Sequence, residues 1–542
     1  MNAADARATG RRHSLAQVLD GLSVHPCNSV DWRAVTVSGA SLDTRSLAAG
    51  EAYLAMPGRT SHGLQHVQRA LEAGTVAVLS VPGAFAAHAG MTDRLAARGV
   101  PALEVEALAD ALSELGGRCF DAPDAAMRVV AVTGTDGKTS VCRFVADAFA
   151  ALGEPAGYIG TLGWGMAGEG AAPLDATALT TPDALVLRRM LRALADAGAR
   201  TVALEASSHG LAEGRLDGLV IDTAVLTNLG RDHLDYHGSE AAYAAAKSGL
   251  FDWPTLSSRV LNADDRLGQA LAHRAEGSGT AALTTFSLAS PVPGEGAGAG
   301  LHAYAIEPSS TGLRFELEER RAHGGRTRAS VTSALFGVFN VQNLLACIGV
   351  LRSAGVAFER AAAVVSRLAP VAGRMQRVPG GSTAAPTVIV DFAHTPDALG
   401  AAIDAVRAHC PGRLCVVFGC GGDRDPGKRA PMARAAAAAD RVIVTDDNPR
   451  TEASMDIIAM ILEGFTDRSA VRVEPDRRAA IALALHDATA GDVVLIAGKG
   501  HEDYQLVGER RLPFSDVAVA SDWLDADARR RVGGTVAAGE CS

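Results

Sequence analysis

Between Met127 and about Asp265, short apolar runs alternate with stretches whose apolar residues recur every three or four positions. MRVVAVTG, TVALEAS, IDTAVLTNLG and SRVLNADD read as buried strands, and KTSVCRFVADAFAALG and ALVLRRMLRALADAGA as helices. That alternation predicts βαβ units around a mainly parallel sheet. A second series begins near Pro386: TVIVDF, a helix from about Pro396 to Ala408, RLCVVFG, a helix through KRAPMARAAAAA, RVIVTDD and DVVLIAGKG. Between the two series lie GEGAGAG (Gly294 to Gly300), strand-like segments from His302 to Thr332, and the helical GVFNVQNLLACIGVLRSAG. Ahead of Pro123, TVAVLSV reads as the buried strand of a smaller α/β unit, and Pro123 in DAPDAAMR marks its end. The chain is therefore expected to be α/β in three domains: a smaller N-terminal unit (1–124), a central phosphate-loop domain on a mainly parallel sheet (125–370), and a Rossmann-like C-terminal domain (371–542). The final DARRRVGGTVAAGECS is expected to be frayed.

Composition narrows the classes. Hydrophobic residues make up 48% and charged residues 21% of the 542, ordinary values for a globular protein. No uncharged apolar run approaches the roughly 18 residues of a membrane helix, and the basic start has no apolar segment after it, so a cytoplasmic protein without a secretory leader is expected. The eight cysteines (Cys27, Cys119, Cys142, Cys347, Cys410, Cys415, Cys420 and Cys541) form no CxxC pair, which suits free thiols in a reducing compartment. A net charge of −10 gives no general attraction to nucleic acid or to an anionic membrane, and neither is expected as a partner.

Chemistry enters at VVAVTGTDGKTS, Val129 to Ser140: strand, glycine loop, helix. In that context backbone amides freed by Gly134 and Gly137 approach a phosphate, the helix N-terminus faces it, Lys138 adds a point charge and Thr139 can ligate Mg²⁺. The usual GxxxxGK[ST] has glycine where this chain has Val132, so the loop is a short variant. Alone it means nucleotide, and leaves kinase, GTPase and ligase open.

Later strands of the same series end in LEASSHGLAEGRLDG and LTNLGRDHLDYHGS. Ligands bind at the carboxyl ends of strands in open parallel sheets, so Glu205, Ser207, His209, Asp232 and His233 are expected to face the phosphate loop. Glu205 and His233 are candidate Mg²⁺ ligands.

With GTDGKT, EASSHGL, NLGRDHLDYHG, YAAAK, FNVQN, AGRMQ, DFAHTPDAL, FGCGGDRDPGKR, TDDNPR and GKGHEDYQ in order, the chain resembles the Mur ligases of peptidoglycan synthesis from about Asp43 to Asp516, and within them the branch that adds diaminopimelate. The resemblance implies an ATP-dependent amide ligase in which a uridine-nucleotide domain, an ATPase domain and a closing C-terminal domain form one site; the sequence itself is silent on oligomeric state, and a monomer is the expectation. ATP would phosphorylate the γ-carboxylate of the D-glutamate in a UDP-muramyl dipeptide, and the amine of meso-diaminopimelate would attack the acyl phosphate. Carried over, Gly134, Thr135, Asp136, Gly137, Lys138, Thr139 and Ser140 hold phosphates, Asn340 and Asn343 match a nucleotide-side motif whose amides suit adenine edges, and Arg374 and Asp391 match ATP contacts of the closing domain, where His394 shares the motif. Thr139, Glu205, His233 and Lys247 match the magnesium site, with Lys138, Lys247 and His233 at the chemistry. Lys247 matches the lysine the family carries as a carbamate, an anion able to ligate a second Mg²⁺. Leu42, Thr44, Thr180, Thr181, Ser207, Glu213 and Arg215 match positions for the muramyl dipeptide.

The amino-acid site implied by the resemblance comprises Arg424, Asp447, Asn448, Pro449, Arg450, Gly498 and Glu502. Diaminopimelate ends in carboxylate and ammonium where lysine ends in ammonium alone, so Arg450 in DNPR would fork onto the distal carboxylate, with Glu502 or Asp447 on its ammonium. A lysine-adding relative or a folylpolyglutamate synthase would share the ATPase core without this motif, and a kinase or regulator would need neither Lys247 nor the closing domain. Four departures stand out: Asp136 where many relatives have asparagine, Glu213 where glutamine is common, Arg59-Thr60-Ser61 in place of a His-Gln-Ala triplet, and Gly230 in place of threonine.

Overall fold

The computed structural model describes residues 11–58, 61–276, 281–289, 299–321, 324–381 and 385–537. Arg59, Thr60, most of the GEGAGAG run and Cys541 lie outside them, as does the start of the chain.

Three main sheets follow one another along the sequence. The first has five strands in the order Val24–Pro26, Ala102–Val105, Ala77–Ser80, Ala52–Ala55 and Ala40–Ser41. The last four of these are parallel.

The central sheet has ten strands. Arg128–Thr133 lies in its middle, with Thr201–Glu205 hydrogen-bonded on one side and Thr223–Leu226 on the other. The chain crosses the sheet in opposite directions from this strand, so its carboxyl end is a topological switch point, where a crevice opens. The phosphate loop follows it directly, leading into the helix Lys138–Ala151. Beyond Ala282–Ser287, the strand-like segments that lie between the two series in sequence extend this same sheet: Ala299–Ser309, Gly312–Arg320 and Arg326–Ser333 add an antiparallel meander. The helix Phe339–Ser353 is buried nearly all round, packed between the phosphate-loop helix and the strands. A helix apolar on every face needs such a place.

The third sheet orders Gln376–Arg377, Thr387–Asp391, Val493–Ala497, Leu414–Phe418, Arg441–Val444 and Val471–Val473. All but the first run parallel, with helices on both faces. The last helix, Asp516–Ala537, seats Val519, Ala520 and Leu524 on this core. The helix continues through Ala537 into the segment expected to be frayed. Among the described residues no helix is long and apolar enough to cross a membrane, and the seven described cysteines are free.

Two contacts fasten the first unit to the central one. Arg188 and Asp124, 2% and 1% exposed, form a buried ion pair, and Asp124 also accepts from Val220 N at 2.7 Å. Arg189 reaches across to Glu51 at 2.8 Å and to the carbonyl of Ala40 at 3.0 Å, next to the Leu42–Thr44 turn.

Candidate active site

Gly134 and Gly137 take φ of 150° and 82°, conformations open to glycine. A Cβ on Gly137 would meet Asn343 Oδ1 at 2.6 Å. Asn343 in turn donates to Asn340 Oδ1 at 2.9 Å, and Asn340 donates to Phe336 O at 2.7 Å. Both amides are buried and brace the loop from behind. Thr227 Oγ1 donates to Asp136 O at 2.6 Å and Asn228 Oδ1 accepts from Asp136 N at 3.0 Å, while the Asp136 carboxylate points to solvent.

Lys138 curls over the loop and donates to Gly134 O at 2.9 Å and Thr135 O at 2.7 Å. Lys247, 1% exposed on the helix Glu240–Ser248, reaches the same Gly134 carbonyl at 2.7 Å, with its Nζ 4.5 Å from the Tyr243 ring. Tyr243 OH lies 3.0 Å from Thr135 Oγ1. Burial first, and the nearby Lys138 charge second, push the Lys247 ammonium down to about 7, against the opposing pull of Asp232 and Asp136. About half of its amine is therefore neutral at pH 7. Burial also lowers Lys138, opposed by Glu205, Asp136 and Asp232, with Arg374 adding to the downward push.

Glu205 closes the strand Thr201–Glu205 and is 1% exposed. It accepts from Thr139 Oγ1 at 3.0 Å, Tyr158 OH at 2.6 Å, and Thr161 N and Oγ1 at 2.8 and 3.1 Å. Tyr158 and Thr161 escaped the sequence reading: they belong to the neighbouring strand and the turn after it, and only the parallel pairing brings them to Glu205. His233 caps the short helix Leu234–His237 with a positive φ of 52° and lies 3.3 Å from Asp232. Its ring is 4.7 Å from that of His209, in an aromatic cluster with Tyr236, His237 and Tyr243. Desolvation lowers both His209 and His237 below the ordinary imidazole value, against the pull of Asp235.

Thr181 Oγ1 donates to Glu205 O at 2.7 Å and lies 2.9 Å from Ser207 Oγ, and Thr180 Oγ1 lies 3.1 Å from Thr161 Oγ1. Arg215 reaches Thr181 O at 2.6 Å and grips Glu213 at 2.9 and 2.5 Å. Burial alone would raise the Glu213 carboxyl, yet Arg215 and Tyr236 bring it below its ordinary value. Glu213 therefore orients Arg215 in this structure.

The third unit delivers a second set of groups. Arg374 stacks over Phe392 at 4.9 Å, and Asp391 accepts from Met375 N and Ala393 N, both at 2.8 Å. A Cβ on Gly373 would overlap the backbone of Gly500 and His501, so this turn packs against the GKGHED loop. His501, absent from the sequence reading, sits with its ring 5.3 Å from that of Phe392. Desolvation first and Arg374 second push its imidazole below the ordinary value, opposed by Glu205 and Asp503. His394 faces solvent, its Nδ1 2.9 Å from Phe392 O.

Around Gly421 two arginines meet: a Cβ there would lie 2.9 Å from Arg450 Nη1 and 3.6 Å from Arg424 Cγ. Arg450 has φ 53° and donates to Gly422 O at 2.7 Å. Its backbone is clamped by the hairpin strand Tyr504–Val507, through Arg450 N to Leu506 O at 3.0 Å and Gly508 N to Arg450 O at 2.7 Å. Asn448 Nδ2 donates to Glu502 Oε2 at 3.0 Å, and a Cβ on Gly498 would lie 3.7 Å from Asp447 Oδ2. The DNPR and GKGHED motifs, some fifty residues apart, are thus brought side by side. Lys499 is a further residue there that the sequence reading passed over.

Residues 132–351 match the model of the Mur ligase middle domain, and residues 373–500 that of the Mur ligase glutamate ligase domain. The chain is 43% identical to the UDP-N-acetylmuramoyl-L-alanyl-D-glutamate--2,6-diaminopimelate ligase of Pseudomonas aeruginosa, over 91% of this chain and 96% of that one. The chain belongs to the Mur ligase family. The same-named enzyme of Xanthomonas campestris pv. campestris is 45% identical over 91% of this Mur ligase and 94% of its own length. A solved structure of a UDP-N-acetylmuramoyl-L-alanyl-D-glutamate--2,6-diaminopimelate ligase superposes with a TM-score of 0.65 at 33% identity, covering 95% of this chain and 99% of that one.

Proposed function

We propose that this Mur ligase joins meso-diaminopimelate to the γ-carboxylate of D-glutamate in UDP-N-acetylmuramoyl-L-alanyl-D-glutamate, using ATP, in cytoplasmic peptidoglycan precursor synthesis. A carboxylate cannot acylate an amine directly because oxide is a poor leaving group. The glutamate oxygen therefore attacks the γ-phosphorus and ADP departs. The amine nitrogen then attacks the acyl carbon, phosphate leaves, and the ammonium's proton is lost to solvent or a neutral base.

The parts fit that sequence. Loop amides and Lys138 hold the γ-phosphoryl group, whose charge grows in transfer. Arg450 and Arg424 meet at Gly421 beside the Asn448–Glu502 hydrogen bond, two arginines next to a carboxylate as a two-headed amino acid needs, and this is the observation that carries the reading. Thr181, Ser207 and Arg215 border Glu205 and would orient the muramyl peptide, with Leu42 and Thr44 on its nucleotide side. Arg450 and Arg424 would take the distal carboxylate of diaminopimelate, and Asp447 and Glu502 its ammonium.

Mg²⁺ keeps water and phosphate oxygens in its shell and needs only one or two protein carboxylates. The buried Glu205 carboxylate with the Thr139 hydroxyl beside it fits that demand; among the described residues no cluster of three His, Cys, Asp or Glu forms a cage. Glu205, Thr139 and His233 would hold it, and the ion would neutralise phosphoryl charge. Lys247, with its lowered proton affinity, suits capture of carbon dioxide as a carbamate, since only the neutral amine reacts.

The test supplies ATP, Mg²⁺ and the UDP-muramyl dipeptide with either meso-diaminopimelate or lysine, and follows product mass and phosphate together. Product with diaminopimelate and little with lysine supports the reading; equal use of both contradicts the assignment of Arg450.

A further inference from the structure

Lys499 is fully buried, and its Nζ has four oxygen neighbours: Tyr504 O at 2.8 Å, Asn448 Oδ1 at 2.9 Å, Glu502 Oε2 at 3.3 Å and Asp447 Oδ1 at 3.4 Å. A lysine ammonium carries three hydrogens and no acceptor, so the four oxygens share its donors. Taking such a charge out of water is unfavourable unless opposite charge accompanies it. Here that charge comes from the two carboxylates assigned to the incoming ammonium.

Asp447 and Glu502 lie on different loops after different strands, and two anions drawn together around one buried lysine repel. Lys499 offsets one of them. Two carboxylates and one ammonium leave a single net negative charge, the complement of one ammonium on the ligand. The lysine also sets an orientation. Asn448 Oδ1 accepts from Lys499 and from Leu506 N at 2.9 Å, which turns its Nδ2 toward Glu502 at 3.0 Å.

The backbone around the pocket has a separate fastening. Arg477, fully buried, forks onto Asp516 at 2.7 and 2.8 Å, and donates to Asp446 O at 3.2 Å and Ala497 O at 3.0 Å. These are the residues just before Asp447 and Gly498, so Arg477 ties the two strand ends together without help from Lys499. What remains for Lys499 is the charge and orientation of the side chains.

We propose that Lys499 is a positioning residue of the amino-acid pocket, holding Asp447, Asn448 and Glu502 as one array whose remaining negative charge reads the distal ammonium, while Arg450 reads the distal carboxylate. The inference rests on the diaminopimelate reading of the pocket. It adds that discrimination depends on a cation the ligand need not touch.

The experiment compares full-length wild type, Lys499→Met and Lys499→Arg, measuring kcat and KM for ATP, the UDP-muramyl dipeptide and diaminopimelate, with unfolding by denaturant alongside. Loss of a buried partner to charged groups predicts a KM for diaminopimelate raised about 10- to 100-fold in Lys499→Met. The KM values for ATP and the dipeptide are expected to stay within about twofold. Lys499→Arg keeps the charge in a larger head and is expected to recover part of the loss. A diaminopimelate KM within about threefold of wild type in Lys499→Met, an equal rise in all three KM values, or an arginine variant no better than methionine would each overturn the proposal. Should Lys499→Met not accumulate as folded protein, Lys499→Arg alone decides: a KM rise confined to diaminopimelate supports the role, and a uniform rise or none refutes it. A wild type that accepts lysine as readily as diaminopimelate defeats the reading of the pocket itself, whereas a selective wild type with an unaffected Lys499→Met defeats only this inference.

Discussion

Lys138 and Lys247 donate to one carbonyl oxygen, that of Gly134, at 2.9 and 2.7 Å. Two ammonium groups sharing an acceptor disfavour each other's charge, and Lys247, the more buried by exposure, is pushed down to about 7. Replacing Lys247 with alanine is expected to lower kcat by about 10²- to 10³-fold, the usual loss for a preorganised group at a phosphoryl site. Added formate or acetate should restore part of it by standing in for the carbamate. Full activity in the plain variant would remove Lys247 from the chemistry.

The same shift makes a stability prediction with a definite sign. Between about pH 7 and the ordinary lysine value of 10.5, the unfolded chain binds a proton at Lys247 that the folded chain does not. Folding is thus favoured as pH rises through that window, and the buried ammonium destabilises it most near and below pH 7. Lys247→Met lacks the group. The Tm of wild type minus that of Lys247→Met is expected to increase from pH 7 to pH 10 in paired melts; a difference that is flat or falls contradicts the shift.

Gly137→Ala tests the loop. The added Cβ meets Asn343 Oδ1 at 2.6 Å in a backbone conformation with φ 82°, and both effects oppose it. Destabilisation of about 1 to 3 kcal/mol follows from the strain. The KM for ATP should rise more than that for the dipeptide, as read by initial rates at saturating co-substrates.

Much of this arrangement was legible in the sequence, because strand, glycine loop and helix are local patterns and the strand ends announce where ligands gather. The antiparallel meander was visible as strands, yet not as part of the central sheet, since edge pairing such as Thr284 with Ala299 is a long-range matter. Glu205 was legible, but its partners Tyr158 and Thr161 were not: neither carries a motif, and parallel pairing alone supplies them. Lys499 and His501 stood inside a recognised motif and were passed over, because burial and the packing of Gly373 against their loop exist only in three dimensions.

Arg188 and Asp124 offer a test of how the first unit is fastened. Both are almost wholly buried, so removing one charge strands the other. Asp124→Asn is expected to destabilise by about 3 to 5 kcal/mol in chemical denaturation, and Arg188→Met by a similar amount. The double variant should lose less than the sum of the two. Strict additivity would show that the pair is not coupled.

Specificity for the incoming amino acid is assigned to Arg450, and the most direct test of the whole account lies there. Wild type and Arg450→Lys are given ATP, Mg²⁺ and the UDP-muramyl dipeptide with meso-diaminopimelate or lysine, and kcat/KM is taken from product mass. The account predicts that wild type strongly prefers diaminopimelate, and that Arg450→Lys loses about 2 to 4 kcal/mol of that preference by giving up a forked contact to the distal carboxylate, with little change for lysine. Equal use of both amino acids by wild type, or an unchanged preference in Arg450→Lys, would contradict it.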